Sequence, residues 1–513
     1  MNINNEYIKI SFILLIMSYL IMSTGLHGDD YVVIDSLTPN LHSFFSIKVV
    51  ELMIFNVVTY YSFWWPYFLF GYEYQWAYDL IKVISHLASF IFAYKFFADY
   101  FSKDRSILAA FLFILYPMHD TTAYWYMTVP YILVPSTILY AHHLVRNNSF
   151  KSGSVISFLG AFSYYLSPPY IFGLTVIFFF ERKYKKALIF VTPGFLYVMY
   201  YFWIKFNYVG VERRINADLS VLDYLKQMLI QPISFLESAI GPSYWFKVFY
   251  AIESISLTSV VIVIIVSTIA YRKVELLSKK PRFSKSLFIG LISVLVLSFG
   301  MYALTGLYSH SAFNLGNRST VYGSLLIAFL LAVYLPANKK AVIFLMIIFL
   351  APVFGLSDHW KSWNGHQKIL IENVNNNQNL KEIEIDSTLL VTGNLYSKLG
   401  PFAHIEFFSM PWNVSAILKD SVKTNNIVAL MPYTAINGDY ITDPKFGGKY
   451  SLINKLYVYE SEGDRVREIF ASDVPKLIEK QPRLIRHWVQ LFKDTRIQDV
   501  IVWLSPRLVY LFK

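Results

Sequence analysis

Cysteine is missing altogether from the 513 residues. That removes disulfides, thiolate nucleophiles and Cys-ligated zinc, and leaves the redox compartment open. Charge is scarce too: Asp, Glu, Lys and Arg make up 15% of the chain, against about 25% in an ordinary soluble domain. There is no glycine-rich phosphate loop of the P-loop or dinucleotide type, so ATP as an energy source is unsupported. Solenoid or propeller repeats are absent. No basic tract interleaves with stacking aromatics outside the loops, so no nucleic-acid partner is expected.

Apolar material fills the space those absences leave. The chain is 55% hydrophobic and 18% aromatic, with a mean hydropathy of +0.43, which is the composition of an integral membrane protein. So many Tyr and Phe residues suit helix ends at a membrane interface, and a groove for an elongated apolar ligand. The net charge of +11 bears first on topology. The Asn, Ile, Lys, Phe and Tyr bias suggests a bacterial inner (plasma) membrane.

Crossing a bilayer takes roughly 20 apolar residues. Candidate spans run near Ile8 to Thr24, Tyr78 to Phe101, Ser106 to Tyr116, Tyr124 to Leu144, Val155 to Leu166, Tyr170 to Phe180, Ala187 to Ile204, Ile252 to Tyr271, Leu287 to Leu304, Val321 to Leu335 and Ala341 to Gly355. Every second connection is basic: Lys103 and Arg105; Arg146 and Lys151; Arg182, Lys183, Lys185 and Lys186; the cluster from Arg272 to Lys285; Lys339 and Lys340. Basic loops face the cytoplasm. The expectation is therefore a polytopic α-helical membrane protein of about 11 spans, N-terminus cytoplasmic and C-terminus outside. Val49 to Phe70 is apolar enough to span, but a full crossing there would turn every basic loop outward. Ser43 to Phe70 is better placed as one or two interfacial or re-entrant helices in the first outer loop, with Trp64 and Trp65 at the headgroups and Pro66 breaking the run; a hairpin that crosses and returns is also permitted. Met1 to Thr24 lacks a strongly basic start and an A-x-A-like cleavage site, so it reads as an uncleaved first span.

Composition changes after Gly355. The expected division is a transmembrane domain over 1–357 and an extracytoplasmic α/β domain over 358–513. Asn373 to Asn379 reads as a linker or surface loop. Strands are expected at Thr388 to Thr392, Ile427 to Met431, Leu456 to Tyr459, Val500 to Leu504 and Leu508 to Phe512, and a helix over Asp473 to Phe492 broken at Pro482.

The polar residues of the outer loops then gather on one membrane face. The first loop brings His27, Asp29, Asp30 and Asp35; the second, "YPMHDTT", brings His119 and Asp120; the fourth, from Lys205 to about Ala251, brings Glu212, Arg213, Arg214, Asp218 and Asp223; the fifth, "YSHSAFNLGNRSTVYG", brings His310 and Arg318. Carboxylates beside hydrocarbon are costly to keep without a use. Sugar transfer from a polyprenyl phosphate is one such use: a carboxylate takes the acceptor hydroxyl's proton as it attacks the anomeric carbon, through an oxocarbenium-like transition state. The departing lipid phosphate calls for a cation, best a bidentate Arg, which Arg318, Arg213 and Arg214 can provide, with His310 in the same loop set. A lipid donor also fits the lack of a nucleotide-binding domain. Each group has a structural reading as well: Asp29 and Asp30 as a helix end, Asp120 or Thr121 as an N-cap, Arg318 snorkelling to headgroups, Arg213 and Arg214 touching lipid headgroups, and Lys48 with Glu51 as an i, i+3 pair.

The first span followed at once by an outer acidic pair ("TGLHGDDYVVID"), then juxtamembrane helices, an "HD" after span three, a late outer arginine and a C-terminal outer domain resembles the GT-C class of polyprenyl-phosphate-sugar-dependent glycosyltransferases. The resemblance implies that the first-loop acid carries catalysis, here Asp30 ahead of Asp29, and that Asp120 beside His119 forms the second acidic site. It implies a polyprenyl-phosphate-linked sugar donor, a glycan or lipid acceptor, and inversion at the anomeric carbon. In metal-dependent members such positions bind a divalent cation, Mg or Mn; the second site here lacks the acidic-x-acidic pattern. No WWD-like signature marks an oligosaccharyltransferase. An O-antigen or polysaccharide polymerase or ligase would place its weight on late-loop arginines. A lipid or glycan transporter or flippase would carry ionisable groups within the spans and often a two-fold repeat.

Overall fold

The computed structural model describes residues 3–37, 63, 65–207, 215, 219–272, 281, 283–306, 309–336, 338–445, 447–491 and 495–511. Contacts divide the chain into two units: Met1–Gly25, Asn40–Ala312 and Gly316–His359 form the first, and Leu26–Pro39, Phe313–Leu315 and Trp360–Lys513 the second. The second unit thus takes in the acidic loop as well as the C-terminal region.

The first unit is helical. Five helical runs are long and apolar enough to cross a membrane: Gln75–Ala98, Tyr184–Ile204, Lys285–Thr305, Leu315–Tyr334 and Lys339–Asn376. A sixth arises if the pair Val221–Glu253 and Leu257–Arg272, bent by 113°, counts as one span. The polytopic class therefore stands among the described residues, with five or six such helices against the eleven expected. Much of the difference is length. Lys103–Ile114, Pro130–Arg146 and Phe150–Ser163 have 12, 17 and 14 residues, short of the roughly 20 a crossing needs. Of the interfacial helices expected over 43–70, only Trp65–Phe70 is described; Lys48, Glu51 and Trp64 lie outside the described residues. The stretch expected as the fourth outer loop holds two amphipathic helices, Val221–Ala239 and Pro242–Glu253.

Small residues let these helices approach. A Cβ on Gly290 would lie 2.4 Å from Ile177 Cγ1, and one on Gly173 would lie 2.5 Å from the Val294 nitrogen, so helices Ser167–Phe180 and Lys285–Thr305 meet backbone to backbone, as packing without a hydrophobic drive requires. Residues from the basic loops brace helix ends: Arg146 reaches both Glu181 oxygens at 2.8 Å, Ser286 donates to Glu181 at 3.2 Å, and His143 Nδ1 lies 3.0 Å from Asp99. Arg105 is buried and donates to the Ala332 carbonyl.

The second unit is built on a four-stranded sheet in the order Asn426–Ala429, Thr388–Thr392, Leu456–Glu460, Arg465–Ile469. The first three run parallel, with Leu389 opposite Ile427 on one side and Tyr457 on the other; the fourth is antiparallel. Thr388–Thr392 is buried at every position, as a continuous apolar run in a parallel sheet should be. Leu390, Val428, Leu456, Val458, Ile469 and Val474 lead its core. Three expected strands coincide with this sheet. The other two are helical: Thr495–Leu504 and Pro506–Leu511, because Ile497, Val500, Ile501 and Leu504 recur with helical period. The expected linker at 373–379 is the end of helix Ala351–Asn376 and a following turn, Gln378–Lys381. The helix expected over 473–492 is confined to Val474–Glu479 and a short turn at Trp488–Leu491.

Candidate functional site

Two buried ion pairs organise the polar interior of the first unit. In helix Gln75–Ala98, Lys82 Nζ lies 2.7 Å from Asp79 Oδ1, and the two side chains are 0% and 3% exposed. Lys82 also donates to Thr24 Oγ1 at 2.7 Å, the Gly25 carbonyl at 2.9 Å and the Tyr124 carbonyl at 2.8 Å. Asp79 accepts from the backbone N–H groups of Ser23 at 2.8 Å and Gly25 at 3.0 Å. The turn after the first helix, with Ser23 and Gly25 both at φ 71°, is thereby clamped immediately before the chain reaches His27. Burying two charges is worthwhile only when every donor and acceptor is met, and here the two charges hold one loop in place.

The second pair contains Asp120, an expected site residue. Lys247 Nζ lies 2.6 Å from Asp120 Oδ1, with side chains 0% and 2% exposed, and Lys247 also donates to the Ala312 carbonyl. Asn317 Nδ2 donates to the same Asp120 oxygen at 2.5 Å, while Asn317 Oδ1 accepts from Thr121. Neighbouring His119 is buried, donating from Nε2 to the Phe113 carbonyl at 3.0 Å and meeting Thr122 Oγ1 through Nδ1 at 2.8 Å. Burial lowers its pKa to about 4, so it is neutral at pH 7. The carboxylate of Asp120 is thus occupied by an ammonium and an amide, an arrangement suited to fixing the loop that carries Asn317 and Arg318.

Arg318 follows directly. Its guanidinium carbon stands 5.3 Å from the centroid of the Tyr131 ring, a cation–π distance. Tyr131 in turn is hydrogen-bonded through its hydroxyl to Tyr165. Tyr165 lines an apolar groove of about 490 Å³ whose other walls include Pro169, Tyr197, Tyr201, Tyr224 and Met301. His310 is buried among Phe235, Phe299 and Tyr302, and neither ring nitrogen has a hydrogen-bond partner among the described residues. Burial pulls its pKa down to about 3, so it supplies no cation at neutral pH. Arg213 and Arg214, with Glu212 and Asp218, lie outside the described residues.

The acidic loop belongs to the second unit. Helix Asp29–Leu37 opens on both carboxylates, where the helix N-terminus favours negative charge. Asp30 is fully buried; its Oδ2 accepts from the His27 N–H at 2.8 Å while its own N–H donates to the His27 carbonyl at 3.0 Å. Asp29 is half-buried and accepts from Trp412 Nε1 at 2.9 Å. His27 packs edge-on against Trp360 at 4.6 Å. Asp35 pairs with Lys419 at the surface, and such an exposed pair contributes little. Asp120, Asn317 and Arg318 therefore come together in the first unit, and His27, Asp29, Asp30 and Asp35 share the second.

Sequence reasoning missed Asp79, Lys82 and Lys247. The first two were legible as ionisable residues inside an apolar helix, which by default mark a site; Lys247 sits in a stretch that reads as loop.

No family model matches the chain, and no curated protein matches it. Among solved structures it is similar to the crystal structure of ArnT from Cupriavidus metallidurans bound to undecaprenyl phosphate, with 10% identity, a TM-score of 0.36, and coverage of 82% of this chain and 86% of that one. Side-chain roles do not transfer at that level, and the chemistry rests on this chain's own residues. Among the described residues no group of three or more His, Asp or Glu side chains could hold a metal ion, and Asp120 is paired with the Lys247 ammonium.

Proposed function

We propose that the protein is a membrane glycosyltransferase that moves a sugar from a polyprenyl-phosphate carrier to a hydroxyl on an extracytoplasmic acceptor such as a cell-surface glycan, a lipid-linked saccharide or a lipid. The observation that carries this reading is Arg318, a permanent cation one tyrosine pair away from the apolar groove. A lipid phosphate has that same pairing of a negative head and a long apolar tail, and guanidinium suits phosphate through its planar fork of donors.

In the proposed reaction a carboxylate of the acidic loop takes the acceptor's proton, with Asp30 ahead of Asp29. The oxygen attacks the anomeric carbon, the bond from that carbon to the phosphate oxygen breaks, and the electron pair leaves with the lipid phosphate, giving inversion. Arg318 meets the charge that develops on the leaving group. Lys247 and Asn317 hold the Asp120 carboxylate in place, so Asp120 positions the Arg318 loop. The eleven-span, C-terminus-outside arrangement belongs to this proposal, since it puts the acidic loop opposite the nucleotide pool.

The test is polyprenyl phosphate binding to the full-length protein in lipid nanodiscs. Arg318→Ala is expected to weaken it at least tenfold and Arg318→Lys to restore part of it, at unchanged thermal stability. Wild-type affinity in Arg318→Ala would overturn the assignment.

A further inference from the structure

The second unit has a polar cleft of its own, of about 570 Å³, within the range of small-molecule sites. It opens beyond the carboxyl ends of two neighbouring parallel strands, Thr388–Thr392 and Leu456–Glu460, the place where open α/β sheets bind ligands. The backbone is shaped for close approach there. Gly393 has φ 79°, and a Cβ on it would meet Glu462 Cγ at 2.9 Å and Ser461 Oγ at 3.0 Å. Asn394 follows at φ 49°, held by Ser461 Oγ at 3.0 Å and by His366 Nε2 at 2.9 Å.

The walls combine two kinds of chemistry. Trp363 is half-buried at the rim, and Tyr396 is locked by Arg486, which donates to its hydroxyl at 2.7 Å and stacks 4.7 Å over its ring. Flat aromatic faces beside fixed amides and hydroxyls suit a sugar ring. Charge is unbalanced: Arg465 and Arg467 both pair with Glu460 at 3.1 Å, whereas Lys398 and Lys480 are exposed in the same lining and meet no carboxylate among the described residues. Four cations face two carboxylates, Glu460 and Glu462. No glycine-rich phosphate loop is present to favour a nucleotide, and the volume far exceeds a single phosphate ion.

We infer that this cleft binds an anionic saccharide, with the aromatic rim on the sugar face and Lys398 and Lys480 on its acidic group. The site stands independently of the transfer reaction. Calorimetric titration of the full-length protein in nanodiscs tests it with a glucuronate-containing disaccharide, the corresponding glucose disaccharide and inorganic phosphate. The glucuronate disaccharide should bind, with affinity at least tenfold lower in the double variant Lys398→Ala/Lys480→Ala, whose thermal stability should match wild type. The neutral disaccharide and phosphate should each bind at least tenfold more weakly than the acidic one. Absence of binding by the acidic disaccharide, unchanged affinity in the double variant, or equal affinity for either control would overturn the inference.

Discussion

Lys247 and Asp120 stand 127 residues apart in the chain, and neither has a role that its own surroundings in the sequence reveal. Asp120 reads as an acidic site because it follows His119 at the end of an apolar run; the ammonium that neutralises it comes from a segment that looks like loop. The same holds for Lys82, whose i, i−3 partner Asp79 is visible in the sequence while Thr24, Gly25 and Tyr124 are not. Short-range pairs can be read from spacing, but partners brought in by packing cannot. Removing one member of a buried pair strands the other in low dielectric, at a cost of about 3–5 kcal/mol. Lys247→Met is therefore expected to lower thermal stability sharply, and Asp120→Asn added to it should restore most of the loss. Melting curves of the single and double variants in detergent check this; a single variant as stable as wild type would contradict the pairing.

Elements were legible where one physical rule governs them. The buried strand Thr388–Thr392 is a continuous apolar run, and the structure keeps its bounds. The C-terminal segments expected as strands are helical, since the spacing from Ile497 to Leu504 follows a helical period. Membrane helices were less legible, since apolar composition marks burial as readily as it marks a crossing; among the described residues five or six helices are long and apolar enough to span, against the eleven expected. What composition cannot show is how closely two helices meet. Gly290 and Gly365 both lie inside helices, yet a Cβ at 290 would collide with Ile177 and one at 365 meets nothing within 4 Å. Gly290→Val should destabilise the bundle by about 1–3 kcal/mol through overpacking, while Gly365→Ala should be neutral or stabilising by up to about 1 kcal/mol through helix propensity. Thermal melts of the two variants give the comparison, and equal effects would refute the close packing.

At the scale of the molecule, the sequence foresaw a helical membrane region and a mixed region after it, and charge alternation along the chain led to the expectation that the acidic loop lies outside. It could not foresee that the loop's residues group with the C-terminal unit, because that grouping depends on helix Asp29–Leu37 packing on helix Pro411–Leu418. The candidate site was legible as a set of residue types at loop positions, and its internal order was not: Asp120 is engaged by Lys247, His310 is neutral and enclosed, and Arg318 leads through two tyrosines to a groove. Taken together these leave the acidic pair as the proposed source of the base. The direct measurement is sugar transfer by the purified protein in lipid vesicles, from a polyprenyl-phosphate-linked donor, comparing wild type with Asp30→Asn and Asp29→Asn at matched protein level and membrane insertion. The account predicts that transfer is lost in Asp30→Asn, or failing that in Asp29→Asn; wild-type transfer in both would contradict it.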